Sequence, residues 1–177
     1  ANYYYAYLKY KHKDYTAALP AFEAVANTEE YRLKAPVYIA SILYYTKQYS
    51  QLEVYGAKLL QKKENYEQPN SLYKLVGGAM FEQGKYEKAI PYYELDVETT
   101  RGRPVATSTV YRLGYCHYQK KEWEPSRFYF NYLVNGTDTT AQAAAYYTAF
   151  CYLNEGKKED ARLLFKRASE LGFRSDF

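Results

Sequence analysis

The sequence predicts an all-α fold, a chain of about five helix–turn–helix units packed side by side, and three observations predict it. First, a polar residue followed by an aromatic recurs at Asp14-Tyr15, Gln48-Tyr49, Lys85-Tyr86 and Glu122-Trp123. The aromatic spacings are 34, 37 and 37 residues, and a further step of 35 reaches Lys158. Second, other columns move through the same increments. Nine before the landmark stands a small residue (Ala6, Ala40, Gly77, Gly114, Ala149), and three after it Ala18, Leu52, Ala89, Ser126 and Ala161. Seven after it come Phe22, Gly56, Tyr93, Phe130 and Phe165. A shared period across several columns is the mark of a repeat architecture. Third, apolar residues fall at helical spacing on both sides of each polar turn, as in Leu113, Gly114, His117 and Tyr118 before one, and Ala161, Leu164, Phe165 and Ala168 after another.

The units follow in order as 1–31, 32–68, 69–105, 106–140 and 141–173. The first fits its columns from Asp14-Tyr15 to Phe22, with Lys9 in a place that is usually apolar. The second departs most, carrying Leu52 and Gly56 where Ala and an aromatic stand elsewhere. The third is the most regular, from Gly77 through Glu82-Gln83-Gly84-Lys85-Tyr86 to Ala89, and Gly84 there can end a helix in the left-handed conformation. The fourth runs from Leu113-Gly114 through Trp123 to Phe130, and the fifth turns at Gly156 before Ala161, Phe165 and Ala168. Pro36, Pro69, Arg103-Pro104 and Asn135-Gly136-Thr137 mark the joints between units, where a proline at a helix start costs little. The extra residues of the 37-residue steps are expected near Glu67-Gln68-Pro69 and Thr100-Arg101-Gly102. Pro20 and Pro91, two residues after a small position, are expected near the first turn of a second helix, with a bend there.

Composition narrows the function. With 177 residues the chain is one domain or one repeat array, long enough to bury a core without disulfides or metals. A net charge of +4 from interspersed charges is too mild for a dedicated nucleic-acid or polybasic membrane module. No apolar run approaches the length of a membrane span. Cys116 and Cys151 with His12 and His117 make neither a zinc pattern nor a disulfide framework, and no cofactor or metal is expected. His117 reads as a satisfied core histidine and the cysteines as buried thiols. Glu29-Glu30 and Gln61-Lys62-Lys63-Glu64 read as solvated helix ends, and Asn135-Gly136-Thr137 as a turn. No phosphate loop, nucleophile elbow or paired carboxylate is found, so no enzyme activity is expected. The first residue is not Met, and the chain reads as a segment of a longer protein whose compartment is undetermined.

Together these columns resemble the tetratricopeptide repeat, above all Gly77 and Glu82-Gln83-Gly84-Lys85-Tyr86-Glu87-Lys88-Ala89-Ile90. The resemblance implies a right-handed superhelix and a role as a protein-interaction scaffold, with first helices lining a concave groove. In the family register, the residues three before, one after and four after the small column face that groove. Carried over, this names Tyr3, Tyr7, Tyr10, Ser41, Tyr44, Lys74, Gly78, Phe81, Tyr111, Tyr115, Tyr118, Tyr146, Phe150 and Leu153, with Lys34, Arg112 and Gln119 on or beside the surface. The peptide-binding set is Tyr7, Tyr10, Tyr44, Lys74, Phe81, Tyr111, Arg112, Tyr115, Tyr118, Tyr146 and Phe150. Tyrosine offers a flat apolar body and a polar tip at low entropic cost, which suits an extended or helical peptide. The same rings could instead bury against one another, and that alternative stays open here. The family's clamp for a terminal carboxylate is incomplete, because Tyr7, Ser41, Gly78, Tyr115 and Phe150 stand where asparagine is needed.

A narrower likeness rests on Ala18-Leu19-Pro20-Ala21-Phe22-Glu23 and Ala89-Ile90-Pro91-Tyr92-Tyr93-Glu94. It is to tetratricopeptide proteins of Gram-negative envelopes, of the TolA-binding and outer-membrane assembly lipoprotein types, and implies a periplasmic scaffold in envelope assembly. Two alternatives stand beside a peptide partner. One is single-stranded nucleic acid stacked on tyrosines. The other is a structural spacer that self-associates through uncapped ends, the outer one at Gly172-Phe173-Arg174-Ser175-Asp176-Phe177.

Overall fold

The computed structural model describes residues 2–62, 64–100 and 102–172. The expected outer end at 173–177 lies outside them, as do Lys63 of an expected solvated helix end and Arg101 of an expected linker insertion. Ten α-helices and no strand occur among the described residues, the all-α fold expected. Packing divides the chain into two compact units, Ala1–Arg101 and Gly102–Phe177.

The first unit holds three helix pairs: α1 (Asn2–Lys11) with α2 (Tyr15–Val25), α3 (Ala35–Tyr45) with α4 (Tyr49–Lys62), and α5 (Pro69–Glu82) with α6 (Tyr86–Thr99). First helices neighbour one another, and each second helix also packs on the first helix that follows it. Ala6, Ala18, Phe22, Ile39, Ile42 and Leu52 are fully or almost fully buried here. The linkers are tied by Arg32–Glu64 at 3.0 Å and by Tyr66, whose hydroxyl donates to the Leu59 carbonyl at 3.2 Å. Lys85 and Lys88 at the start of α6 both pair with Glu53 of α4, and these partners hold its carboxyl below the usual carboxylate range.

The second unit holds α7 (Thr107–Gln119) with α8 (Trp123–Asn131) and α9 (Thr139–Asn154) with α10 (Lys158–Glu170). Helix α9 starts at Thr139 because Asp138 caps it, its carboxylate accepting from the Ala141 N–H at 2.8 Å. Leu113, Cys116, Phe130, Ala144, Ala149 and Cys151 are sealed from solvent. Arg127 donates to Glu155 at 2.8 Å and lies 4.6 Å over the Tyr152 ring, fastening α8 to the end of α9.

All five turns inside the pairs close alike. The residue two before the landmark takes a left-handed conformation, at Lys13, Lys47, Gly84, Lys121 and Gly156, with φ between 58° and 78°. In each, that residue's N–H reaches back three residues and the next N–H reaches back five, as in Gly84 to Phe81 and Lys85 to Met80. This paired closure satisfies helix-end carbonyls. The sequence marks it only where glycine stands. At the other three turns, lysine bears the steric cost because the landmark behind it must land on the core.

Pro20 and Pro91 sit one turn deeper than expected. Each is the sixth residue of its helix, beyond the positions whose N–H lacks an intrahelical partner, and each faces solvent. The helices continue past them to Val25 and Thr99, so the lost ladder bond is tolerated on the wet side.

The small column lies where a second helix crosses the first. An added Cβ on Gly114 would stand 2.8 Å from the Phe130 ring, and one on Gly77 would stand 3.1 Å from the Tyr93 ring. Ser126 seals the first crossing by donating to the Gly114 carbonyl at 2.9 Å. Alanine in a helix gains about 1 kcal/mol over glycine, while overpacking costs about 1–3 kcal/mol. Gly114→Ala is therefore expected to lose about 1 kcal/mol in urea unfolding. Gly77→Ala is expected to fall within about 0.5 kcal/mol of the parent, since its closest contact is not severe.

Candidate functional site

The candidate site residues come from first helices. On α1, Tyr3, Tyr7 and Tyr10 recur at helical spacing and share one face. A ring from the next first helix, Tyr38 of α3, enters among them, 6.3 Å from Tyr3, 5.7 Å from Tyr7 and 5.3 Å from Tyr10, edge to face with each. Behind it Phe22 of α2 stacks at 4.9 Å with planes 5° apart. Three tyrosines thus form a socket, Phe22 its floor and Tyr38 the knob. Burial raises the Tyr3 phenol well above its ordinary range, and a hydrogen bond with Tyr38 adds to this.

The same device is built again in the second unit. Tyr111, Tyr115 and Tyr118 of α7 receive Tyr147 of α9, at 5.2 Å from Tyr115 and 4.9 Å from Tyr118, and Phe130 stacks on it at 5.7 Å with planes 16° apart. Burial raises the phenols of Tyr111, Tyr118 and Tyr147, while a hydrogen bond from Tyr147 opposes the rise at Tyr111.

Of the peptide-binding set, the structure gathers Tyr7 and Tyr10 about Tyr38, and Tyr111, Tyr115 and Tyr118 about Tyr147. Tyr44 and Phe81 pack on their own landmarks, Tyr49 at 5.6 Å and Tyr86 at 5.5 Å, and Tyr10 and Trp123 repeat that contact with Tyr15 and Tyr118. Tyr146 and Phe150 lie 4.9 Å apart beside Phe165 of α10. Lys74 and Arg112 stand on α5 and α7. Every one of the eleven is half-buried, with part of the side chain seated and part reaching water. Of the other register positions, Ser41 and Gly78 are buried, and Leu153 is 44% exposed.

Sequence reasoning missed the two knobs. A signal existed, because Tyr38 and Tyr147 each stand two residues before the small column, where the other units carry Tyr4, Leu75 and Arg112. It also missed a pair of adjoining concavities of about 190 and 420 Å³ on the first unit, which share Glu23, Ile39 and Tyr55. They lie where the backbones of α2 and α4 stand apart, with Glu23 and Tyr55 on the walls and Ile39 and Leu43 of α3 as the floor.

The chemically reactive groups are quiet. His117 is buried, holds Glu122 through Nδ1 at 2.7 Å and stacks on Tyr129. Both cysteines are free and buried, and burial pushes the Cys116 thiol up to about 12, far from the thiolate range. No group of three metal-ligating side chains occurs among the described residues, nor does any described helix have the length and apolarity to cross a membrane.

Solved structures share this architecture. The crystal structure of YrrB, a tetratricopeptide protein with an unusual peptide-binding site, superposes with a TM-score of 0.79 at 15% identity over 97% of this chain and 84% of its own. MamA of strain AMB-1 gives 0.77 at 16% identity over 99% and 93%. A MamA from Desulfovibrio magneticus RS-1, from residue 41 to its end, gives 0.74 at 15% over 99% and 96%. No curated protein matches the sequence. Residues 143–170 match the tetratricopeptide repeat family, and the chain as a whole has the all-α fold of superhelical tetratricopeptide proteins.

Proposed function

We propose that the chain is a protein-interaction scaffold that takes up a peptide segment or a partner's helix on the tyrosine faces of its first helices. In the first unit the face is Tyr7, Tyr10, Tyr44, Lys74 and Phe81; in the second it is Tyr111, Arg112, Tyr115, Tyr118, Tyr146 and Phe150. The observation that carries this reading is their shared half-burial. Rings fixed by their neighbours and open along one edge offer contact area whose ordering cost is met during folding. The peptide-binding site that names YrrB supports the class of partner. The likeness of 18–23 and 89–94 to envelope proteins supports a place in cell-envelope assembly, which fractionation of the source cell tests.

The ring contacts dictate the binding test. Alanine would remove packing along with binding, so the hydroxyls alone should be removed, in the triple variant Tyr111→Phe, Tyr115→Phe, Tyr118→Phe. Peptides selected from a displayed random library on the parent chain are expected to bind the variant about tenfold more weakly, roughly 1.4 kcal/mol, while its stability falls by only about 1 kcal/mol, the worth of the Tyr111–Tyr147 hydrogen bond. Peptides that bind this variant, and a Lys74→Glu variant, as tightly as the parent would remove the tyrosine faces from consideration. Binding that instead falls steeply with salt would point to a nucleic-acid backbone.

A further inference from the structure

A trough crosses the first unit between its first two second helices, α2 and α4. Two adjoining concavities of about 190 and 420 Å³ form it and share Glu23, Ile39 and Tyr55. Their lining follows α4 from Ser50 to Lys62, a rise of about 18 Å. The floor is apolar, made by Ile39 and Leu43, and Val54 at the rim is 56% exposed. Both walls are interior elements of the unit. Helix α2 packs against α1 and α3, and α4 against α3 and α5.

The sequence accounts for the opening. Between α4 and α6 the second helices are tied by Glu53, four after its landmark, which pairs with Lys85 and Lys88, one before and two after the next landmark. Between α2 and α4 the same three positions carry Leu19, Gln48 and Gln51, so that tie is missing. What stands there instead is a pair of walls of opposite sign. Helix α2 presents Glu23, and α4 presents Lys58 and Lys62 one helical turn apart. All three are exposed, and none has an ion-pair partner among the described residues. Arg32, at the edge of the smaller concavity, is by contrast already held by Glu64 at 3.0 Å.

These walls also select the form of an occupant. An extended peptide draws its affinity from main-chain bonds to a strand edge, and a trough between two helices offers none; a helix lays an apolar stripe into such a groove instead. We propose that the trough docks one amphipathic helix of a partner protein, about twelve residues long. Its apolar stripe lies over Ile39, Leu43 and Val54. Its cations run along the edge beside Glu23, and its carboxylates, one turn apart, along the edge beside Lys58 and Lys62. None of the eleven residues of the tyrosine faces lines this trough, so either reading can fail without the other.

A displayed library of amphipathic helices tests this on residues 1–177, with a fixed apolar stripe and lysine, arginine, glutamate or glutamine drawn at random along both edges. Helices with cations on one edge and carboxylates on the other are expected to be enriched. A selected helix should bind Glu23→Lys and Lys58→Glu each about tenfold more weakly than the parent. The double variant should recover most of that loss, because exchanging the signs of the two walls lets the same helix bind turned end for end. Both side chains are exposed, so the variants should keep the parent's circular dichroism. No enrichment, enrichment without the split of charge, equal binding by the parent and the single variants, or a double variant weaker than either single overturns the proposal. So does binding that only the triple variant Tyr111→Phe, Tyr115→Phe, Tyr118→Phe weakens, which would place the helix on the first-helix faces. Self-association of the parent in sedimentation velocity that Glu23→Lys abolishes would make a second copy the occupant, and overturns it too.

Discussion

Tyr147→Ala is expected to destabilise the second unit by about 3 kcal/mol, the low end for truncating a large aromatic because this ring is half-buried. The loss has three sources. The stack on Phe130 disappears, the edge contacts of Tyr115 and Tyr118 open, and Tyr111 loses a hydroxyl neighbour. No nearby side chain can slide in, since the socket walls are fixed on one helix at successive turns. Tyr147→Phe keeps the ring and should cost only about 1 kcal/mol, the value of one hydrogen bond. Urea unfolding of the two variants separates packing from polarity. Tyr38→Ala should behave in the same way in the first unit, whereas Tyr4→Ala, in the same register but outside any filled socket, should cost at most about 1 kcal/mol, the worth of its edge contact with Tyr3 at 5.7 Å. Equal losses for Tyr4→Ala and Tyr147→Ala would show that a filled socket does not define the knob.

That contrast marks how far the sequence could be read. The small column and the landmark were legible because steric exclusion at a helix crossing admits few residues: Gly114 and Gly77 leave room for one ring each, and the substitution is visible as a missing side chain. The tyrosine faces were legible only as a spacing. Their half-burial depends on what arrives from the neighbouring helix, and Tyr38 and Tyr147 arrive from a column that also holds Leu75 and Arg112, so its meaning emerges only when the helices are packed. The left-handed turns at Lys13, Lys47 and Lys121 were hidden for the opposite reason. Lysine has no preference for that conformation, and tertiary packing imposes it. The concavities beside Tyr55 follow from two helix backbones standing apart, a spacing for which no residue type is a signature.

Gly56 shows a departure from the pattern that has its own physical reason. In the sequence it breaks the aromatic column; in the structure its bare backbone is where Val76 of α5 comes to rest. A Cβ there would overlap Val76, standing 2.7 Å from Cγ2. Valine at a helical position has one favoured rotamer, so neither methyl can swing away. Gly56→Ala is expected to cost about 2 kcal/mol, overpacking of about 1–3 offset in part by helix propensity. Val76→Ala alone should cost about 2 kcal/mol through the void it leaves. Together, each change relieves the defect of the other, because the new methyl on α4 occupies the space that Val76 gives up on α5. The double variant should therefore be more stable than the sum of the singles by at least about 1 kcal/mol. Strict additivity in a double-mutant cycle by urea unfolding would mean that the two helices have adjusted apart. The contact between α4 and α5 would then not be a close backbone approach, and Gly56 would be an ordinary exception in the aromatic column.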